Sequence, residues 1–415
     1  MDYKPRSIDK LLDRFFREAA AYAIDGPKGV GKTASATRRS AHVWNLEQPE
    51  HRAHLMAQPN YLNLPAGTVF IDEWQLLPDS WNSVRRAVDD GAPGGRFLLA
   101  GSSSPRDASG THSGAGRILS ARMRPMGLHE RDLCDTPVSV SRMLDGTESS
   151  INDRSPLRLE HYFDAIVSSG LPGLHRMSAS VRNQHLDSYL RRIVDRDMPD
   201  LGFTVRRPVQ LRRWMAAYAA ASSTTTAFAR IATAAGEDGE IPAKTTTQAY
   251  REHLAQLWIL DPLESWNPSL SLFKRVQQKP KHHLADPGLA ARLLGVSARQ
   301  LTFPANADVA GRLFESLAVL TLRGIVEAEG GHAWHFRTRE GREEIDLIIE
   351  GDEGQIVAVE VKLAPEVRDQ DVRHLKWLRD KLPDDVVDMV VVTTGEFAYR
   401  RSDGVAVVPL ALLGH

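Results

Sequence analysis

The chain has a single cysteine, no long uncharged apolar run and almost no net charge. Cys134 is the only thiol among 415 residues, which excludes an intrachain disulfide framework and a zinc site built from several cysteines. No apolar run approaches the roughly 18 residues of a membrane span, and the charged start leads into no apolar signal segment. We therefore expect a cytoplasmic protein that does not enter a membrane.

The near-neutral charge also limits the classes of partner. Lysine and arginine number 52 and aspartate and glutamate 53, so no global attraction to nucleic acid or to an anionic membrane is expected. Binding of that kind must come from a local patch, and residues 176–213, with nine arginines against four acids, form one. The hydrophobic share of 42% and the length indicate a globular chain of more than one domain.

Short apolar runs alternate with helical patterns over the first 150 residues. Residues 21–24, 68–71 and 97–100 are predicted strands. Helical patterns run from Lys32 to about Trp44 and from Trp81 to Val88. Strands that alternate with helices predict an α/β fold with a parallel sheet covered on both faces.

A glycine-rich motif follows the first predicted strand. Gly26-Pro27-Lys28-Gly29-Val30-Gly31-Lys32-Thr33 fits the phosphate-loop pattern G-x-x-x-x-G-K-[ST] at every specified position. Glycines let backbone N–H groups surround a β-phosphate, and the following helix directs its positive end at the same anion. We expect Lys32 to reach the β- and γ-phosphate oxygens and the Thr33 hydroxyl to ligate Mg²⁺. All eight residues are thus predicted to bind a nucleotide.

An acidic pair ends the second predicted strand. Val69-Phe70-Ile71 is followed directly by Asp72 and Glu73. Asp72 would hold Mg²⁺ through its water shell, and Glu73 would polarise the attacking water. Such a pair more often caps the next helix, but the phosphate loop upstream favours catalysis. The sequence therefore predicts a nucleotide-hydrolysing domain.

The order of these motifs resembles that of a known group of proteins. After the phosphate loop come Phe-Ile-Asp-Glu-x-Gln at 70–75, Leu-x-Gly-Ser-Ser at 99–103 and Gly-Arg at 116–117. The order is similar to that of prokaryotic AAA-type ATPases with an N-terminal P-loop domain and a C-terminal endonuclease-like domain of unknown function. The resemblance covers nearly the whole chain and implies the use of ATP and Mg²⁺. One departure is the short segment between Trp44 and Thr68, which leaves the intervening strand hard to find.

The resemblance suggests two further residues for the nucleotide site. Ser102 stands where AAA-type ATPases sense the γ-phosphate and the attacking water, although a solvated serine-rich turn is an equal alternative. Arg117 is a candidate charge for the transferring phosphate, either in cis or across a subunit boundary. The second arrangement would require a homo-oligomer, which rests on analogy alone.

The middle of the chain has the outline of a winged helix. Helical patterns cover residues 212–221, 228–235 and 245–257, and an apolar pair, Ile259-Leu260, follows them. Around the third helix, residues 244–251 include lysine, threonine, glutamine and arginine side chains able to meet phosphates and base edges. The family it resembles often carries such a module here, so DNA is an expected partner. A lid or a docking surface is the alternative.

Two predicted strands near the C-terminus form a hairpin that carries charged residues. Residues 344–349 and 356–362 are joined by a turn rich in glycine and acids. Asp346, followed by Glu360-x-Lys362 on the next strand, is the arrangement of PD-(D/E)XK nucleases. Residues 360 and 362 share a face because side chains alternate along a strand.

The chemistry of such a nuclease site assigns a role to each charged residue. Asp346 and Glu360 would hold Mg²⁺, which polarises a scissile phosphate, and Lys362 would orient or deprotonate a bound water. Glu315, on the preceding helix, would add to the metal site. The open alternative is that these residues are structural ion pairs. The basic run from Lys274 to Lys281 is expected in a solvated loop, with a phosphate-facing patch as the alternative.

These patterns predict four segments. They are a P-loop AAA-type ATPase domain over 1–150, a helical linker or lid over 151–207, a winged-helix-like part over 208–270 and a restriction-endonuclease-like α/β domain over 271–415. Two functions fit this division. In one, an ATPase acting on nucleic acid drives or gates a C-terminal nuclease. In the other, an ATP-dependent switch carries a C-terminal domain that binds DNA or protein without cutting.

Overall fold

A computed structural model describes residues 3–101, 114–175, 177–237, 240–268, 278–338 and 340–415. Contacts divide the chain into two compact units, residues 1–124 with 256–258 and residues 125–255 with 259–415. The N-terminal stretch of the first unit thus ends at Arg124, whereas the predicted first domain extends to residue 150. The reason is that the next segment packs into the second unit: Met126 N donates to Gly170 O at 2.7 Å. The four-part division itself stays a prediction.

The first unit is a parallel sheet of five strands. Its helices are α1 (Ser7–Phe15), α2 (Lys32–Thr37), α3 (Pro49–Ala57) and α4 (Asp79–Asp89), and its strands are β1 (Ala21–Asp25), β2 (His42–Asn45), β3 (Val69–Asp72), β4 (Phe97–Ala100) and β5 (Ile118–Arg122). The strand order is β2-β3-β4-β1-β5, and every pair is parallel. Alternate residues of β1, β3 and β4 belong to two separate apolar clusters. Both faces of the sheet are therefore covered, which confirms the predicted fold class.

Strand β2 corrects the sequence-based prediction of a helix from Lys32 to about Trp44. The helix ends at Thr37, and β2 pairs with β3, with His42 opposite Val69. Strand β2 is the intervening strand that was expected between Trp44 and Thr68, but it begins at His42. It lies at the sheet edge and is only partly buried, so it lacks the continuous apolar run of a central parallel strand.

The strand order places the predicted catalytic motifs together. Strand β4 lies between β1 and β3, and all three run in the same direction. Their carboxyl ends therefore meet at one edge of the sheet, where ligands bind in open parallel sheets. The phosphate loop, the acidic pair and Gly101 follow these three strands in the sequence.

The second unit has a helical part and a mixed sheet. Its helices are α5 (Val140–Leu144), α6 (Leu159–Val167), α7 (Ala179–Arg192), α8 (Met198–Asp200), α9 (Pro208–Ala220), α10 (Phe228–Ala234), α11 (Lys244–Gln256, of which Gln256 belongs to the first unit), α12 (Pro287–Leu294), α13 (Ala298–Leu301), α14 (Ala307–Ala328) and α15 (Arg373–Lys381). Its strands are β6 (Val138–Ser139), β7 (Asn152–Arg154), β8 (His332–Arg337), β9 (Glu344–Glu350), β10 (Ile356–Val361), β11 (Val386–Thr393), β12 (Phe397–Arg400), β13 (Ala406–Pro409) and β14 (Leu413–Gly414). The large sheet has the order β7-β12-β13-β11-β10-β9-β8, and β6 pairs with β14.

The predicted hairpin is present in this sheet. Strands β9 and β10 are antiparallel, with Ile356 opposite Glu350 and Val359 opposite Leu347. Strand β10 is buried along its whole length because β11 pairs in parallel on its other side. Charged side chains on β10 therefore lie inside the domain and not on an exposed edge hairpin.

Helices α9, α10 and α11 lie close to the three helical patterns predicted for the middle of the chain. Their description as a winged helix stays a prediction. Within the described residues, no helix combines the length and the apolar character that crossing a bilayer requires.

Candidate nucleotide site and C-terminal charged cluster

The phosphate loop has the backbone conformation that its glycines allow. Gly26, Gly29 and Gly31 have φ values of 150°, 76° and 109°, in the region that residues with a Cβ rarely adopt. Gly26 is constrained twice, because a Cβ there would overlap the carbonyl oxygen of Met123. The chain after β5 thus packs directly against the start of the loop. Each glycine of the motif is explained by local geometry.

Lys32 lies folded over this loop. Its Nζ donates to the carbonyl oxygens of Gly26 at 2.7 Å and Pro27 at 3.0 Å, and the residue is only 7% exposed. Burial lowers the Lys32 pKa to about 8, against the nearby carboxylates of Glu73 and Asp72, which raise it. The ammonium is therefore held where the loop needs a cation.

Thr33 and Asp72 meet across the sheet edge. Thr33 Oγ1 donates to Asp72 Oδ2 at 2.9 Å. Burial raises the Asp72 pKa to about 6, and the Thr33 hydrogen bond opposes this shift. Mg²⁺ prefers oxygen ligands such as a hydroxyl and a carboxylate. Thr33, which carries the hydroxyl, is exposed. The donor atoms of Thr33 and Asp72 fit a magnesium ion, and the binding of Mg²⁺ by these two residues stays a prediction.

Glu73 has an unusual backbone and a specific partner. Its φ is 53°, a left-handed conformation that non-glycine residues adopt rarely and that is common at functional sites. Gln75 Nε2 donates to Glu73 Oε2. A Cβ on Gly101 would lie 2.7 Å from Gln75 Oε1, so this glycine leaves room for the amide. Sequence reasoning quoted Gln75 in a motif but assigned it no role; Ser102 lies outside the described residues.

Arg122 is a candidate site residue that none of the sequence motifs contains. It ends β5 directly opposite Asp25 of β1, beside the start of the phosphate loop. Burial raises the Asp25 pKa to about 6, while Lys32 and Arg122 lower it. The available signal was an arginine at the end of a strand. Only the register of β5 against β1 shows that this arginine lies next to the phosphate loop.

The structure corrects the cis alternative for Arg117. Arg117 precedes β5, whose first residue, Ile118, lies opposite Ala21. It is therefore at the amino edge of the sheet, a strand length of about 16 Å from the loop. Its Nε donates to Asp89 Oδ1 at 2.8 Å. Arg117 cannot reach a phosphate bound in its own subunit.

Arg6 is a second residue at the loop that no sequence motif indicates. Its guanidinium donates to Val30 O at 2.8 Å and to Arg124 O at 2.7 Å. It therefore ties the phosphate loop to the segment after β5, and it is buried. Arg6 directly precedes α1, and nothing in its local sequence indicates that its side chain crosses to the loop.

The C-terminal charged residues converge in the second unit, but around a lysine. Lys281 Nζ lies 2.8 Å from Glu315 Oε1, 3.0 Å from Asp346 Oδ1 and 3.6 Å from Glu344 Oε1. Lys281 is 1% exposed. Its neighbours His282 and His283 are buried as well, so the expected solvated loop is wrong for this part of the run.

Glu360 and Lys362 complete the same cluster. Lys362 Nζ donates to Glu360 Oε1 at 2.6 Å, and Val361 N donates to Asp346 Oδ2 at 3.0 Å. Burial and the nearby Asp346 carboxylate raise the Glu360 pKa to about 8. Burial and the same carboxylate raise the pKa of Glu315, also to about 8.

The predicted C-terminal magnesium site does not fit this arrangement. An ion bound to Glu315 and Asp346 would share the position of the Lys281 ammonium, which already bonds both carboxylates. No group of three or more candidate ligands in the described ranges is arranged to hold a metal. The predicted carboxylates meet as expected, but they bind a side-chain cation. The sequence predicts a solvated loop for this lysine because it lies far from the hairpin in the chain.

The exposed side of α11 has the character expected of a DNA-contacting helix only in part. Lys244, Thr245 and Gln248 are exposed. Thr247 is buried, and Arg251 stacks over the Phe228 ring at 4.5 Å, so these two are structural. The predicted set is thus reduced to one exposed stripe near the start of the helix.

The arginine-rich segment is partly neutralised by acids. Ion pairs join Arg207 to Glu240 at 2.8 Å and Arg212 to Asp195 at 3.6 Å, and Arg213 pairs with Glu237. Glu240 and Glu237 lie outside residues 176–213 and offset two of its arginines, whereas Asp195 is one of the four acids already counted within the segment.

Three protein-family models match segments of the chain. The sequence model of the AAA domain matches residues 18–131, which contain the phosphate loop and the acidic pair. This segment is therefore similar to AAA-type ATPase domains. Two families described only as domains of unknown function, DUF8612 and DUF4143, match residues 159–300 and 310–413.

Relatives along the whole chain carry no assigned function. The chain is 26% identical over 413 residues to the uncharacterized protein Rv2008c of Mycobacterium tuberculosis and, equally, to Mb2031c of Mycobacterium bovis, covering 97% of this chain and 83% of theirs. Among solved structures, the Walker-type ATPase of Pyrococcus abyssi is 15% identical with a TM-score of 0.40, covering 70% of this chain and 96% of that one. A point mutant of RuvB from Thermotoga maritima is 17% identical with a TM-score of 0.28, covering 66% and 99%.

Proposed function

We propose that the chain binds ATP with Mg²⁺ on the loop of residues 26–33 and hydrolyses it. The observation that carries this proposal is the hydrogen bond of 2.9 Å between Thr33 and Asp72 beside the buried Lys32 ammonium. Thr33 and Asp72 would hold Mg²⁺, which supplies positive charge to the triphosphate. Lys32 would exchange its two carbonyl partners for phosphate oxygens.

Glu73 is the proposed general base. Its carboxylate directly follows the metal-binding Asp72 and accepts a hydrogen bond from Gln75, which fixes its direction. A carboxylate held in this way orients the attacking water and takes its proton. Arg122, next to the loop, is the proposed cation within the subunit. Arg117 is available only to a neighbouring subunit of a homo-oligomer.

Calorimetric titration of the purified chain with a slowly hydrolysed ATP analogue tests this site. Wild type should bind more tightly with Mg²⁺ than with EDTA, and Thr33→Ala should lose about tenfold in affinity only when Mg²⁺ is present, roughly 1.4 kcal/mol. Thr37→Ala, exposed on the same helix, is the matched control. No binding of adenine or guanine nucleotide by wild type would refute the proposal.

We further propose that the exposed stripe on α11 contacts nucleic acid. Lys244, Thr245 and Gln248 lie within the first two turns of a helix of 13 residues. One positive and two neutral polar side chains can contact phosphates and base edges. The arginines on the neighbouring segment that remain exposed, among them Arg191 and Arg206, add positive charge.

Fluorescence anisotropy with a short DNA duplex, repeated over a range of salt concentrations, tests this contact. Lys244→Ala should weaken binding and reduce the slope of log affinity against log salt by about 1, since one phosphate contact is lost. Lys381→Ala, an exposed lysine in the last turn of α15, should leave the slope unchanged. Equal slopes for all three proteins would exclude Lys244 from the interface.

For the C-terminal domain we propose the non-cleaving alternative. Its support is the position of Lys281 among the carboxylates that a nuclease would use for metal. ATP turnover in the first unit would then act on a domain that binds DNA or protein without cutting. Incubation of wild type with plasmid DNA and Mg²⁺ should leave the plasmid intact.

A further inference from the structure

Lys281 is held in place by backbone hydrogen bonds on both sides of its segment. Its N–H and carbonyl both bond Leu263, each at 2.9 Å. The next residue, His282, donates from its backbone to Thr224 O at 2.8 Å. The following one, His283, accepts from Asp261 N at 2.9 Å. The lysine therefore enters the cluster from a fixed strand-like segment and not from a loose loop.

The cluster that Lys281 enters is rich in carboxyl groups. The carboxyl groups of Glu315, Glu344 and Asp346 surround its ammonium. Beside them, Lys362 pairs with Glu360 at 2.6 Å, and Arg337 lies 3.6 Å from Glu344. Buried carboxylates without a nearby cation are costly. Lys281 bonds Glu315 and Asp346 directly, from two different elements, α14 and β9. It thus performs the charge balance that a bound metal ion performs in a carboxylate site.

The arrangement of carboxylates around the Lys281 ammonium also resembles the ligand set of a metal ion. The ammonium has three N–H donors and no acceptor, and three carboxylates surround it within 3.6 Å. A divalent ion would need the same oxygens at shorter distances. The two cations cannot occupy one position together.

We propose that the Lys281 ammonium permanently takes the place of a divalent cation in this cluster, so that the C-terminal domain works without metal. Removing the lysine should convert the same carboxylates into a site for a hard divalent cation. The inference deepens the proposed non-cleaving domain and does not depend on ATP hydrolysis.

Manganese binding by the full chain, without nucleotide, tests the inference. All proteins carry Thr33→Ala so that the nucleotide site does not contribute. The parent should leave Mn²⁺ free in electron paramagnetic resonance, and its melting temperature should not change with Mn²⁺. Adding Lys281→Ala should give one bound Mn²⁺ and a melting temperature raised by at least about 5 °C. Lys281→Arg keeps the charge and should behave as the parent does.

Two results would overturn the inference. One is a parent chain that binds Mn²⁺ and loses it with Asp346→Asn, because the carboxylates would then hold metal despite the lysine. The other is a folded Lys281→Ala chain that binds no Mn²⁺. If Lys281→Ala folds neither with nor without Mn²⁺, the parent titration still decides. Failure of the proposed ATPase would appear separately, as absent nucleotide binding in calorimetry on wild type.

Discussion

Glu73→Gln should lower ATP turnover by about 10²- to 10⁴-fold while nucleotide affinity stays within about twofold of wild type. The substitution keeps the size and the hydrogen-bonding shape of the side chain but removes its ability to accept a proton. Glu73 is placed for this role by its left-handed backbone directly after β3 and by the hydrogen bond from Gln75. Lys32 and the Thr33–Asp72 pair, which contact the nucleotide in our proposal, are left intact.

Phosphate release under single-turnover conditions, paired with calorimetry, separates the two quantities. Glu50→Gln, an exposed glutamate in the first turn of α3, is the matched control and should turn over ATP as wild type does. Equal turnover by Glu73→Gln and wild type would remove Glu73 from the proposed role. Loss of binding in Glu73→Gln would instead indicate a residue that supports the loop.

The elements that the sequence predicts well are those specified by short-range patterns. The loop at 26–33 needs left-handed backbone and close packing at Gly26, and only glycine satisfies both conditions. The acidic pair follows a continuously buried strand, β3. Strand β2 was not predicted because it lies at the sheet edge, and its half-exposed residues do not form an apolar run.

Residues placed by long-range register could not be predicted in the same way. Arg117 and Arg122 are five positions apart on one segment. Arg117 lies at the amino end of the parallel strands, and Arg122 lies at their carboxyl end, next to the phosphate loop. Only the pairing of β5 with β1 distinguishes them. Arg6 is a comparable case, since its two carbonyl partners lie 24 and 118 residues away in the chain.

The C-terminal cluster also contains a residue that its sequence motif could not predict. Asp346, Glu360 and Lys362 meet as the hairpin pattern predicts, because alternation and antiparallel pairing are local properties. Lys281 reaches the same point from a separate segment, 65 residues before Asp346. A motif specifies the residues it contains, but a cation supplied from elsewhere in the fold decides what those residues can bind.

Lys32→Met should reduce ATP turnover by about 10²- to 10³-fold, since a positive charge aimed at the transferred phosphate is removed. It should also weaken nucleotide binding, which distinguishes it from Glu73→Gln. In the structure Lys32 Nζ donates hydrogen bonds to two loop carbonyls and lies near Asp25 and Asp72. Methionine keeps the length of the side chain but leaves those groups without a cation.

Lys10→Met, at an exposed lysine of α1, controls for loss of a surface charge. Turnover and affinity are measured by phosphate release and calorimetry, and a Lys32→Met chain that binds and hydrolyses ATP normally would exclude the loop as the catalytic phosphate site.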